Sequence, residues 1–322
     1  MAAALLLGVM APLASASSGS LPPGGGGTHG KKVVLLTYAN TNQWAAYNTK
    51  VFDAQLQKVG VTVQNEYASS SSQQVTQFQE AIAEHPAAIA IEIISDPSVT
   101  GAIEQAYTAR VPVIVFDGPP EPSVMNKVRS VLSNNPQLGT IAAENLVEGL
   151  KSIHVKSGDY AILAGLKSML ITHQRLTAFF KYMKKYPQYK DVADLDTQWN
   201  SEIATTDASE LFAKYGSSLK AVYGMADYLA VPAIQAAQNI GLKPGHNIIV
   251  SGGNCFKIGI QAVENGTYFG TATEDPGTVA MKTTKYITEF LDGKTVPQHE
   301  VITEYQITKS NVKKYAAECS HA

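Results

Sequence analysis

Polar and aromatic side chains that could hold a small molecule stand directly after short apolar runs in this chain. Asn42 and Trp44 follow the run VVLLT, Asp117 ends the run VPVIVFD, and Asn254 follows the run NIIVSGG. Such short runs, rich in β-branched residues, favour parallel strands that are buried on both faces. Because ligands of an open α/β sheet bind outside the carboxyl ends of its strands, we expect these side chains to form a binding site.

The same residues do not assemble into a recognisable catalytic set. The sequence lacks the G-x-S-x-G, P-loop, H-E-x-x-H and C-x-x-C motifs, and none of its seven histidines pairs with another at a ligand spacing. Asp117, Asp227 and Glu274 follow different strands and could form an acid/base pair. They serve equally well as acceptors for the hydroxyl groups of a ligand. We therefore expect binding without catalysis, cofactor or metal.

Length and composition set the class of protein. At 322 residues the chain exceeds one average core, so we expect two domains. An apolar content of 45% and a charged content of 16% are typical of a globular protein. A formal net charge of −2, with no basic cluster longer than Lys184-Lys185, predicts that nucleic acid is not a partner.

The first thirty residues predict an export signal followed by a flexible linker. The apolar stretch AAALLLGVMAPLA is too short to span a bilayer and leads to the A-x-A pattern Ala14-Ser15-Ala16. A Ser-, Gly- and Pro-rich segment follows. No Lys or Arg precedes the apolar stretch, so an apolar tail is the alternative interpretation. We expect an exported protein, either periplasmic or associated with the outer cell surface.

The two cysteines, Cys255 and Cys319, are too few for a disulfide framework and lack the spacing of metal ligands. One disulfide between them is compatible with an exported protein. The alternative is a small buried residue at Cys255 and a free thiol at Cys319. The sequence leaves both open.

Strands and helices alternate in two halves of the chain, which predicts right-handed crossovers and two parallel sheets. The first half predicts strands near 33–37, 61–65, 88–94 and 112–116. The second half predicts strands near 159–164, 193–198, 220–223, 247–251 and 268–272. The segment 128–136 is the expected first crossing between the halves.

From Lys31 to Tyr315 the chain resembles the periplasmic sugar-binding proteins of ABC importers, the ribose and galactose group of type I periplasmic binding proteins. Each local match is weak by itself, but their order and spacing together are specific. In HQRLTAFFKYM, Ala178 replaces the glycine that is usual in the family. The matching segments are TYANTNQW, VPVIVFDG, SNNPQLGTIAAENL, HQRLTAFFKYM, GMADYLAVPAIQAAQNIGL, VENGTYFGTATEDP and VITEYQITKSNVKKY.

The resemblance implies an α/β fold of two Rossmann-like lobes, joined by a three-segment hinge and closing around one solute. It implies an amino-terminal lobe of residues 31–133 plus 276–302, and a carboxyl-terminal lobe of 134–275 plus 303–322, after the signal and linker of 1–30. It also implies a monomer that delivers its solute to the membrane permease of an ABC importer.

Carried over by position, the resemblance implies that rings stack on a sugar while carboxylates, amides and an arginine bind its hydroxyl groups. Asn254 stands where the family commonly has aspartate, and Glu274 where it commonly has glutamine. The implied ligand-binding residues are Asn42, Trp44, Asp117, Arg175, Trp199, Asp227, Asn254 and Glu274.

Three departures argue against ribose itself. Gly118 replaces an arginine, Ala226 replaces the asparagine before Asp227, and Ala45 replaces a second ring. These changes remove hydrogen-bond donors and one stacking face. A different small sugar, a polyol or a cyclitol remains compatible.

Other functions are compatible with a fold of this kind. A binding protein for signalling or chemoreception towards a sugar-like ligand would have the same site, and a secreted α/β enzyme would require a catalytic set. The effector domain of a transcriptional repressor is disfavoured, because the segment from Met1 to Gly30 is apolar and then Gly-rich and could not read DNA.

Overall fold

The computed structural model describes residues 21–22 and 24–319. Six parallel strands form the first sheet, in the order β11-β5-β4-β3-β1-β2. Its strands are β1 (Lys32–Tyr38), β2 (Thr62–Ala68), β3 (Ala88–Glu92), β4 (Val113–Asp117), β5 (Arg129–Ser133) and β11 (His299–Ile302). The helices that pack on it are α1 (Gln43–Lys58), α2 (Ser71–Ala83), α3 (Asp96–Thr108) and α9 (Pro276–Leu291). We call this unit the amino-terminal lobe.

Four parallel strands form the second sheet, in the order β7-β6-β8-β9. Its strands are β6 (Gly158–Ala164), β7 (Tyr189–Asp196), β8 (Leu219–Gly224) and β9 (Ile249–Ser251). Its helices are α4 (Asn135–Ser152), α5 (Leu170–Met183), α6 (Ser201–Tyr215), α7 (Asp227–Asn239) and α8 (Lys257–Asn265). We call this unit the carboxyl-terminal lobe.

A short antiparallel pair and a last helix complete the chain. The pair is β10 (Gly270–Ala272) with β12 (Gln306–Thr308), and the helix is α10 (Val312–Cys319). The chain passes between the lobes after β5, before α9 and after β11. The predicted α/β fold with two parallel sheets is therefore confirmed.

The apolar runs are explained by burial on both faces of the first sheet. In β1, Val33 and Leu35 belong to one hydrophobic cluster, whereas Val34 and Leu36 belong to another, and all four are fully buried. Side chains alternate across a strand, so a strand with helices on both faces needs apolar residues at every position. Burying each such side chain contributes about 1.5–3 kcal/mol.

One strand lies where the sequence predicted only a crossing. Residues Arg129–Ser133 form β5, which pairs with β4 on one side and β11 on the other. The run RSVLS is short and partly polar, so it lacks the continuous apolar signal of the other strands. Its partner β11 comes more than 160 residues later, as in the pair Ser130 and His299, and no local pattern reveals such a pairing.

The predicted signal falls mostly on residues 1–20, which lie outside the described residues. The described part of the predicted linker makes hydrogen bonds to the amino-terminal lobe, although the sequence placed it outside the fold. The Thr28 hydroxyl donates to the Val59 carbonyl at 2.9 Å, and the Gly30 N–H donates to the Gly60 carbonyl at 2.9 Å. Arg129 donates to the Leu21 carbonyl. Within the ranges that the structure describes, we find no helix with the length and apolar composition needed to cross a bilayer.

Of the two alternatives left open for the cysteines, the structure shows the disulfide. Cys255 lies just before α8, Cys319 ends α10, and their Cα atoms are 5.1 Å apart. The bond joins residues 64 positions apart and fastens the last helix beside the turn that carries Asn254.

We predict that Cys319→Ser lowers the free energy of unfolding by about 2–4 kcal/mol, because the cross-link restricts the unfolded chain. The measurement is thermal unfolding with and without dithiothreitol. The parent protein should lose stability in the reductant, whereas Cys319→Ser should not respond to it. An equal response of both proteins would contradict a native disulfide at this position.

Candidate ligand-binding site

A cavity lies between the lobes, at the carboxyl ends of strands from both sheets. The structure brings seven of the eight residues predicted from the sequence into its lining. They are Asn42, Trp44, Asp117, Arg175, Trp199, Asn254 and Glu274.

Both tryptophans of the chain line this cavity, one from each lobe. Trp44 lies in the first turn of α1, and Trp199 lies in the loop between β7 and α6. The Trp199 ring packs against Gly165, where a Cβ atom would lie 2.0 Å from the ring. Its Nε1–H donates to the Met169 sulfur at 3.2 Å. The contacts with Gly165 and Met169 therefore fix the orientation of the Trp199 ring before any ligand binds.

Arg175 is buried in the cavity wall and its guanidinium is held on three sides. It pairs with Glu274 at 3.1 Å, donates from Nε to the Asn135 oxygen at 2.7 Å, and donates to the Met225 carbonyl at 3.4 Å. The guanidinium carbon also lies 5.6 Å from the centre of the Trp199 ring. Such a cation is fixed in place and can present its remaining N–H groups in one direction only.

Glu274 is only 1% exposed and accepts from both Arg175 and the Asn254 amide. Burial raises the pKa of Glu274 well above its usual range, and the Asp117 carboxylate adds to the rise while Arg175 opposes it. Burial by itself would lower the pKa of Arg175, but Glu274 and Asp117 outweigh burial and raise it. Asp117 therefore acts on both members of the pair.

Three buried polar atoms of the lining have no hydrogen-bond partner among residues 21–22 and 24–319. They are Trp44 Nε1, Asp117 Oδ1 and Asn254 Oδ1. A buried polar atom without a partner costs about 1–3 kcal/mol, so such atoms are rare in native proteins. One donor and two acceptors in one cavity match the hydroxyl groups of a polyhydroxylated molecule.

Backbone strain is found at three residues of the cavity lining. Asp117, Trp199 and Asn254 have φ values of 64°, 55° and 83°, in the left-handed region that side chains other than glycine rarely adopt. Residues held in this region cluster at functional sites, where the surrounding structure imposes the conformation. In this chain the strained turns aim three lining side chains at the cavity.

Asn42 lines the cavity, but its amide group is engaged by the protein. Its Nδ2 donates to the Trp199 carbonyl at 3.3 Å and to the Tyr228 hydroxyl at 3.2 Å, both in the carboxyl-terminal lobe. Its oxygen accepts from the Ala45 N–H and caps α1. Asn42 therefore joins the two lobes beside the cavity.

Asp227 does not line the cavity, although its family position suggested a ligand contact. It is fully buried behind the cavity wall, and its carboxylate accepts from the Tyr268 hydroxyl, the Thr271 hydroxyl and the Phe256 N–H at 2.7–2.8 Å. Its own N–H donates to the Gly253 carbonyl. Asp227 therefore supports the turn that carries Asn254 and does not face the cavity.

Five residues beyond those predicted also line the cavity. Glu92 ends β3 as the one charged residue of the run AIAIEII, a signal that could have identified it. Burial raises the pKa of Glu92 to about 7, the Asp117 charge adds to the rise, and the Thr37 hydroxyl opposes it. The other four are Tyr38, Met169, Ile171 and Tyr228.

Comparison with known proteins gives one family match. Residues 33–295 match the family described as the periplasmic binding protein domain. Among curated proteins, the galactofuranose-binding protein of Escherichia coli is 24% identical over 217 residues, which covers 64% of this chain and 65% of that protein. The D-apiose import binding protein of Actinobacillus succinogenes is 25% identical over 240 residues, or 73% of this chain and 74% of that protein.

Solved structures share the fold at lower identity. The crystal structure of a galactofuranose binding protein has a TM-score of 0.81 at 18% identity and covers 89% of this chain and 98% of its own. An ABC transporter solute binding protein from Bacillus halodurans, with bound myo-inositol, has a TM-score of 0.80 at 18% identity and covers 94% and 100%.

We predict that Gly165→Ala displaces the Trp199 ring, because the added Cβ would overlap it. Overpacking of this kind costs about 1–3 kcal/mol. In a Trp44→Phe background, tryptophan emission reports Trp199 alone and should shift to the red. Gly101→Ala is the matched control, since a Cβ there meets nothing within 4 Å. Identical emission from both alanine variants would contradict the packing described here.

We predict that Glu92→Gln stabilises the free protein at about pH 8 and leaves its stability unchanged at about pH 4. The pKa of Glu92 is raised from 4.5 to about 7 in the fold. Its contribution to stability is therefore fully present below about pH 4.5 and is lost as the pH rises through 7. The check is the thermal midpoint across this range, with the exposed Glu80→Gln as control. A difference from the parent that does not change with pH would contradict the buried carboxyl.

Proposed function

The chain belongs to the periplasmic binding protein family, and from this premise we propose that it binds one small sugar or polyol between its lobes and delivers it to the permease of an ABC importer. The names of its relatives refer to galactofuranose and D-apiose, and one structural neighbour holds myo-inositol. These molecules share a small size and many hydroxyl groups. The family consists of solute-binding proteins, and we propose no chemical step.

The proposal rests on one observation: the cavity is lined both by two indole rings and by buried polar atoms that have no hydrogen-bond partner in the described part of the chain. A sugar presents apolar C–H faces and a rim of hydroxyl groups, so it needs both kinds of surface. Trp44 and Trp199 come from opposite lobes and would enclose a ring-shaped solute only when the lobes meet. Asp117 and Asn254 would then accept from its hydroxyl groups.

The lining also supports a solute other than ribose. A Cβ atom on Gly118 would lie 2.4 Å from Ile171 Cγ2 in the opposite lobe, so this position has no room for a long side chain. Three carboxylates, Glu92, Asp117 and Glu274, face a single Arg175. An excess of acceptors over cations favours uncharged, hydroxyl-rich solutes over sugar acids and sugar phosphates.

The proposed motion is closure of the two lobes about the three crossings. We propose the boundaries expected from the sequence, 31–133 plus 276–302 and 134–275 plus 303–322, because the two sheets divide the strands in this way. The protein would act as a monomer in the periplasm or at the outer cell surface, after removal of the predicted signal. The Cys255–Cys319 disulfide supports an oxidising location.

We expect a thermal-shift screen of sugars, polyols and cyclitols to find a solute that raises the unfolding temperature, since a ligand of the folded state stabilises it. Calorimetry with that solute should then show that Asp117→Ala and Arg175→Ala each bind about tenfold to a thousandfold more weakly, because each removes a buried charged partner. Trp44→Ala should weaken binding through lost stacking.

Asp292→Ala, which removes an exposed carboxylate, is the control and should bind as the parent does. Parental affinity in all three site variants would place the site elsewhere. Chemical conversion of the solute by the purified protein would reverse the proposal in favour of an enzyme.

A further inference from the structure

Helix α5, which carries Arg175, begins without a capping side chain of its own. Its N-cap residue is Met169, which forms no side-chain hydrogen bond to the helix, and its first turn contains no acidic residue. The first N–H groups of any helix lack partners within the helix, and an oxygen placed there stabilises it. In this chain that oxygen comes from a distant residue.

Asp96 supplies the cap. Its Oδ2 accepts a hydrogen bond from the Leu170 N–H at 3.2 Å, and its side chain is only 5% exposed. Asp96 opens α3 and follows β3 in the amino-terminal lobe, whereas Leu170 opens α5 and follows β6 in the carboxyl-terminal lobe. The cap is therefore a direct link between lobes that does not involve the cavity lining.

The surroundings of Asp96 make the link electrostatic as well. A carboxylate at the amino end of a helix is stabilised by the helix dipole. Burial raises the pKa of Asp96 to about 6 and the like charge of Glu121 adds to the rise, whereas the N–H groups of Leu170 and of Asp96 itself oppose it. One residue further along α5, Ile171 meets Gly118 of the amino-terminal lobe. The two contacts form one interface beside the cavity.

We propose that Asp96 is a positioning residue that caps α5 only in the closed form, and so holds the lobes together around the solute. The proposal rests on the proposed function, because it requires lobes that close on a ligand. In an open form the Leu170 N–H would face water, and Asp96 would keep only its own backbone N–H as a partner. The cap thus stabilises the closed form selectively and positions Arg175 through its helix.

The test compares Asp96→Ala and Asp96→Asn with a cap that lies within one lobe. Ser70 caps α2 by accepting from the Gln73 N–H, so Ser70→Ala removes a cap without touching the interface. The probe is whichever of D-allose, D-fucose, D-arabinose and myo-inositol most raises the thermal midpoint of the parent.

Asp96→Ala should bind that probe about threefold to thirtyfold more weakly through faster dissociation, since one helix cap is lost on opening. Asp96→Asn keeps a hydrogen-bond acceptor but not the charge, so its affinity for the probe should fall less than that of Asp96→Ala. Ser70→Ala should lower the thermal midpoint without changing the dissociation rate. Equal dissociation rates in Asp96→Ala and Ser70→Ala would overturn the proposal.

A second variant separates positioning from simple destabilisation. Gly118→Ala should obstruct the same interface by overlap with Ile171. If both changes act on closure, Asp96→Ala should add little to Gly118→Ala in a double-mutant cycle. Fully additive losses would overturn the proposal.

Hydrogen exchange makes the test independent of the solute. If no solute of the thermal-shift screen binds the parent, the proposed function fails, and exchange at the Leu170 amide still reports the cap. Exchange there should be faster in Asp96→Ala than in the parent and unchanged in Ser70→Ala. Equal exchange in all three proteins would overturn the proposal without bearing on the proposed function.

Discussion

The buried ion pair between Arg175 and Glu274 is the interaction on which the rest of the site depends. Both side chains are at most 3% exposed, and charges removed from water are tolerated only when each finds good partners. Arg175 therefore holds Asn135 of α4 and the Met225 carbonyl after β8, while Glu274 holds Asn254 after β9. The hydrogen bonds that surround this one ion pair therefore fix three separate segments of the cavity wall, those at Asn135, Met225 and Asn254.

Because these hydrogen bonds hold the cavity wall rigid, they also affect the affinity for a solute. Donors and acceptors that the protein already fixes lose little freedom when a solute arrives, so more of their interaction appears as affinity. Three polar atoms of the lining remain without a hydrogen-bond partner among the described residues: Trp44 Nε1, Asp117 Oδ1 and Asn254 Oδ1. The segments that carry them are held in place by residues outside the cavity. Asp227 is an example of that support, because its carboxylate holds the Phe256 N–H and so the turn beside Asn254.

The lobes also meet through contacts that need no solute. Asn42 reaches the Trp199 carbonyl and the Tyr228 hydroxyl, and Asp96 reaches the Leu170 N–H. Contacts of this kind set the free-energy difference between open and closed forms before any ligand binds. Affinity in such a protein depends on residues at the lobe interface as well as on those in the cavity.

The sequence by itself determined the two parallel sheets and part of the cavity lining. Trp44, Asp117 and Asn254 follow apolar runs, and in parallel sheets such positions meet at one edge. Arg175, Trp199 and Glu274 came from the resemblance. The tertiary structure decided what depends on distant partners: the strand β5, the pairing of Cys255 with Cys319, the engagement of the Asn42 amide, and Asp227 pointing away while Tyr228 lines the cavity. Local periodicity shows which residues end a strand, but the direction of a side chain and its partners are set by packing between segments far apart in the chain.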